Sequence, residues 1–134
     1  MPGSCVAEII AQGCIPAGME IMDKALTKAT NDYSKAGYPT DAEAMMIVEF
    51  DGTEHEVEDY IGKVKQIAEK NNSSSLKVSK SNEERLKFWA GRKAAFPACG
   101  VLAPDYICMD GSIPRGKLAE VLNEISRLSK KYDL

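Results

Sequence analysis

The run Ala44-Met-Met-Ile-Val-Glu-Phe50 stops at Asp51-Gly52 and passes at once into Thr53-Glu-His-Glu56. Its first part is nearly all apolar, as in a strand covered on both faces, and Asp-Gly is a turn signal. The period then changes. Val57, Tyr60, Ile61, Val64, Ile67 and Ala68 recur at i, i+3, i+4 and i+7, so the spacing predicts a helix from Glu54 to Lys70. Thr53 and Glu56 form a capping box at its start, and Asn71-Asn72 supply an end. A strand feeding a capped helix places the chain among folds that mix the two.

Working outward, Leu118, Val121, Leu122, Ile125, Leu128 and Tyr132 repeat the helical stripe from Lys117 onward, with Pro114 near its first turn. Ser81 and Glu84 form a second capping box, opening a helix that carries Leu86, Trp89 and Arg92. A weaker helix is predicted from Lys24 to Ala36 with Gly37 as its C-cap, and a short one from Val6 to Gln12. Besides 44–50, three segments read as strands: Gly18–Met22, Leu76–Ser79 and Tyr106–Met109. Asn71-Asn-Ser-Ser-Ser75 is a short polar connector. Strands interleaved with helices fit either an α/β fold or a ferredoxin-like α+β layer, and periodicity does not choose between them.

The totals narrow the function. A chain of 134 residues fits one domain and buries a core without metal or disulfide help. Its 17 basic and 20 acidic residues are interspersed, which argues against a nucleic-acid surface. Apolar runs fall far short of the roughly 20 residues of a membrane span, and no charged segment followed by an apolar one opens the chain. The expectation is a cytoplasmic protein. Cys5, Cys14, Cys99 and Cys108 lack zinc-ligand spacing, and the lone His55 lies in an acidic helix start. The thiols are therefore read as four small buried hydrophobes, with no metal site and no disulfide. Nucleophile elbows, phosphate loops and Ser-His or Cys-His pairs are missing, so no catalytic residue is assigned.

Arg92 is the residue that asks for a partner. Phe88 and Trp89 precede it by about one turn, Phe96 follows by one, and Pro97 is expected to stop the helix. Either the rings stack on the guanidinium or an anionic ligand meets it, because such a cation is costly to bury alone. Lys93 is expected to extend into solvent.

Four segments carry a family resemblance: Ile15-Pro-Ala-Gly-Met-Glu-Ile-Met-Asp23, Gly37-Tyr-Pro-Thr-Asp-Ala-Glu-Ala44, Phe88-Trp-Ala-Gly-Arg-Lys-Ala-Ala-Phe-Pro-Ala98 and Pro104-Asp-Tyr-Ile-Cys-Met-Asp-Gly-Ser-Ile-Pro114. Nearly end to end, the chain resembles the FAD-linked subunits of bacterial glycolate oxidases, flavoproteins of the vanillyl-alcohol-oxidase type. The resemblance implies an α+β, ferredoxin-like mixed sheet of about four strands with helices packed on it. Residues 1–134 would form the N-terminal part of an incomplete cap domain over the substrate. The flavin-binding domain and a His-x-Gly-Asp-Gly-Asn metal region would lie outside it. FAD would serve the whole enzyme, bound by that other domain, and none is expected on this chain. Arg92 matches an arginine that grips the carboxylate of a small 2-hydroxy acid, glycolate or D-lactate. Cys108 falls near a position where some relatives place a substrate-contacting lysine. The chain alone is expected to be inactive. A different class stays open beside this one: a freestanding protein-interaction or small-anion-binding module, self-associating through an exposed sheet edge.

Overall fold

The computed structural model describes residues 2–133. In chain order the elements are α1 (Pro2–Ala11), β1 (Gly18–Asp23), α2 (Lys24–Ser34), β2 (Ala44–Glu49), α3 (Glu54–Lys70), α4 (Asn82–Lys93), α5 (Ala95–Leu102) and α6 (Leu118–Tyr132), the last entered through a 3₁₀ turn at Arg115–Lys117. The fold is α+β, and the chain divides into two compact units.

One unit gathers the N-terminal residues through Ile15, the segment Phe50–Ser73 and the chain from Asp110 onward. Here α1 packs on both α3 and α6. Ile9, Cys14, Cys5, Val6, Ile67 and Ala68 are buried. A β-carbon added at Gly3 would lie 2.8 Å from the Ala119 Cα, so glycine is what lets α1 and α6 approach so closely. The α3 bounds and capping box are those predicted: the Glu56 N–H donates to Thr53 Oγ1, and the Thr53 N–H donates to Glu56 Oε2 at 2.9 Å. The far end of α3 is held by Glu8 on α1, whose carboxylate accepts from Lys70 Nζ at 2.5 Å and Asn71 Nδ2 at 2.9 Å. On α6, Leu122, Ile125 and Tyr132 of the amphipathic stripe are exposed.

The other unit, Pro16–Glu49 with Ser74–Met109, carries the sheet. β1 and β2 pair antiparallel from Gly18 opposite Glu49 to Asp23 opposite Ala44. Side chains alternate across a pleated strand, so Gly18, Glu20 and Met22 share a face with Met45, Ile47 and Glu49. That face holds the core of the unit: Met22, Ile47, Tyr38 and Ala95 are buried, with Leu26, Ala36, Met45 and Trp89 packed around them.

Three expectations change. Leu76–Ser79 and Tyr106–Met109 are not strands; they run without ladder partners, so the sheet of the described residues has two strands rather than about four. Their apolar, alternating side chains suit a strand, but a strand also needs a neighbour's N–H and C=O groups. α2 ends at Ser34 instead of Ala36, capped by Lys35 in the left-handed region (φ 54°) rather than by Gly37. Asn31 causes this: its Oδ1 accepts from the Gly37 and Tyr38 N–H groups and draws the chain off the helix axis. Pro97 does not stop a helix. α4 closes at Ala94, and Pro97 sits in the first turn of α5, where the missing N–H is tolerated.

The second capping box is half present. Ser81 Oγ accepts from the Glu84 N–H, but the Glu84 carboxylate turns to the Lys80 N–H at 2.8 Å and to Lys77. No helix among the described residues is long and apolar enough to cross a membrane.

Candidate functional site

Arg85, Trp89 and Arg92 occur at i, i+4 and i+7 of α4, so they line one side of that helix, toward the sheet. Each meets a carboxylate that the sheet presents. Arg85 Nη1 donates to both oxygens of Glu49, at 3.1 and 3.0 Å, and Trp89 Nε1 donates to Glu49 Oε2. Arg92 donates through Nε (3.2 Å) and Nη2 (3.0 Å) to a single oxygen, Oε2 of Glu20. Its Nη1 and Glu20 Oε1 make no hydrogen bond among the described residues. The side chains of Arg92 and Glu20 are 33% and 41% exposed, so the pair is reachable from solvent.

Arg92 is thus met by an anion, and stacked rings are not what holds it. Phe88 lies under the Lys77 ammonium, 5.1 Å from its ring centroid. Phe96 is exposed and packs edge-on against Tyr106 at 5.4 Å. Trp89 spends its N–H on Glu49 while its ring rests over Gly18, where a β-carbon would lie 3.2 Å from it. Lys93 is exposed, as expected.

The backbone around Arg92 is fixed by Tyr38. Its hydroxyl donates to the Phe88 carbonyl, and the ring passes α4 at Gly91, where any β-carbon would stand 2.5 Å from Tyr38 Cζ and 2.6 Å from Ala36 Cβ. Burial raises the Tyr38 pKa above its usual value, so the phenol stays protonated and remains a donor.

Glu20, Glu49, Tyr38 and Gly91 were not singled out from the sequence. One signal was available: Glu20 is the lone charge inside Gly18-Met-Glu-Ile-Met22, on the face that also bears the buried Met22. The separation of 72 residues between Glu20 and Arg92 hides the pairing.

The thiols are not uniform. Cys5 and Cys14 are buried, Cys99 is half-buried, and Cys108 is exposed, which corrects its reading as a core residue. Burial, followed by the nearby Glu8 charge, raises the Cys5 pKa. No group of three or more His, Cys, Asp or Glu side chains among the described residues is placed to hold a metal ion. A shallow groove of about 440 Å³ beside α4 is walled by Lys77, Glu83, Glu84, Lys87 and Phe88. Those walls do not fit a flavin: the charges are already paired or mixed in sign, and the one ring is covered by Lys77.

These features fall within a known family. The sequence pattern of FAD linked oxidases, C-terminal domain, matches residues 3–134, and the chain belongs to that family. Among relatives, glycolate oxidase subunit GlcD of Escherichia coli (strain K12) is 48% identical over 132 residues, covering 98% of this chain and 26% of that protein. Glycolate oxidase subunit GlcD of Bacillus subtilis (strain 168) is 33% identical over 129 residues, 96% of this chain and 27% of the relative. The mitochondrial D-lactate dehydrogenase [cytochrome] of Arabidopsis thaliana is 33% identical over 117 residues, 86% of this chain and 20% of the relative. The chain therefore spans about a quarter of the length of the relatives it matches.

Proposed function

We propose that this chain is part of the substrate-covering cap of a FAD-dependent 2-hydroxy-acid oxidoreductase acting on glycolate or D-lactate, and that it is not catalytic alone. The names of the relatives support the substrate class, since they are a glycolate oxidase subunit and a D-lactate dehydrogenase. The observation that carries the reading is the Arg92 side chain, one-third exposed, whose guanidinium spends Nε and Nη2 on Glu20 and makes no hydrogen bond through Nη1 among the described residues. A planar fork of N–H donors matches a carboxylate, and fixing that carboxylate orients the 2-carbon for loss of hydride. FAD, held by a flavin-binding domain outside this chain, would supply the hydride acceptor. Arg92 contributes binding and orientation and moves no proton, because a guanidinium does not titrate at working pH.

In the complete cap, Leu76–Ser79 and Tyr106–Met109 would become strands of a ferredoxin-like sheet of about four, and residues 1–134 would act as one part of that domain. A cytoplasmic location belongs to the same reading. A second reading has its own observation. β1 and β2 pair only with each other among the described residues, so each has one edge without a ladder partner. A freestanding module that self-associates through such an edge predicts a discrete dimer mass in solution.

The test of the main reading is steady-state oxidation of glycolate and D-lactate by the flavoprotein carrying this domain, with R92K and R92A. Both variants should lose roughly tenfold or more in kcat/KM. Unchanged kcat/KM in R92A would remove Arg92 from the pocket.

A further inference from the structure

Glu20 and Glu49 stand two positions apart on facing strands, yet each treats its arginine differently. Glu49 spreads both oxygens over one nitrogen of Arg85 and also takes the Trp89 N–H. Glu20 offers one oxygen to the Nε–Nη2 edge of Arg92 and leaves the other edge of the guanidinium alone. It does so from the middle of β1, opposite Ile47 in the ladder and between Gly18 and Met22 on the core-facing side. A side chain on a paired strand, flanked by a buried neighbour, is a firmer anchor than one on a loop. On the other side, α4 is pinned by Tyr38 at the Phe88 carbonyl and by Trp89 over Gly18. Backbone and head group of Arg92 are therefore held independently.

We infer that Glu20 is the positioning residue for Arg92: it fixes the Nε–Nη2 edge so that Nη1 points to the incoming carboxylate, and it tempers the guanidinium's charge. This rests on the reading of Arg92 as the carboxylate-binding group. The role has two separable parts. As a hydrogen-bond acceptor, Glu20 sets orientation, and a glutamine in its place still accepts. As an anion, it opposes binding of a second anion at the same cation, and a glutamine does not. A contact serving only stability would have neither signature.

The experiment measures kcat and kcat/KM for glycolate and the inhibition constant of oxalate, an anion lacking the reacting C–H bond, in the flavoprotein with E20Q, E20A and R92A. E20Q should keep kcat within about twofold and bind oxalate severalfold more tightly than wild type. E20A should lose about tenfold in kcat/KM for glycolate as the guanidinium swings free. If R92A leaves oxalate inhibition unchanged, the reading of Arg92 fails and this inference with it. If R92A weakens oxalate while E20A matches wild type in both measurements, Glu20 alone is excluded. Equal loss of kcat in E20Q and E20A, with oxalate inhibition unmoved, would make Glu20 a structural contact and overturn the inference.

Discussion

Tyr38 crosses α4 at Gly91: the ring lies where the β-carbon of any other residue would stand, 2.5 Å from Cζ, and its hydroxyl reaches the Phe88 carbonyl. Position 91 is therefore fixed by close approach, not by backbone freedom, and it lies one residue before Arg92.

Gly91→Ala should destabilise the unit by about 1–3 kcal/mol through overpacking, read as a lower urea midpoint. Tyr38→Phe removes the hydroxyl and should cost about 0.5–1.5 kcal/mol on its own. Because the two sites touch, the double variant should cost less than the sum of the single costs. Strict additivity would mean that the ring and the glycine do not meet.

Acid should loosen the unit that contains α1 and α3. Hydrogen bonds from Lys70 and Asn71 hold the Glu8 pKa below its usual value, and those of Thr53 do the same for Glu56. A carboxylate depressed in the folded state stabilises above its unfolded pKa, about 4.3, and loses that contribution as pH falls through the lower folded value. The urea midpoint should thus be flat near neutrality and fall below about pH 4.5. Glu8→Gln should lower the neutral-pH midpoint and flatten the acid limb; an acid limb as steep as in wild type would clear Glu8 of the role.

How much of this was legible depended on distance along the chain. The α3 helix could be read to the residue because its stripe and capping box lie within a few positions of each other. Glu84 shows the limit of that method: the spacing from Ser81 is right, but Lys77 and the Lys80 N–H compete for the carboxylate. Leu76–Ser79 and Tyr106–Met109 have strand-like side chains, and no local pattern tells a strand where its neighbour is. Arg92 stood out by its chemistry, while its partner Glu20 was invisible across 72 residues. Phe96 misled because Ala94 interrupts the helix between it and Arg92, which turns the ring away toward Tyr106.

The cysteines should separate on alkylation. Cys108 is exposed and should react fastest with iodoacetamide near pH 8, with Cys99 slower. Cys5 and Cys14 are buried, and the raised Cys5 pKa further lowers its thiolate fraction, so both should react only as the unit opens. Peptide mass spectrometry over time gives the order. Cys5 labelled as quickly as Cys108 would contradict the packing of α1.

The most direct test of the central claim is a crystal structure of the flavoprotein carrying this domain with oxalate bound. The account predicts a carboxylate oxygen within about 2.7–3.2 Å of Arg92 Nη1 while Nε and Nη2 remain on Glu20. Oxalate seated elsewhere, with no contact to Arg92, would contradict it.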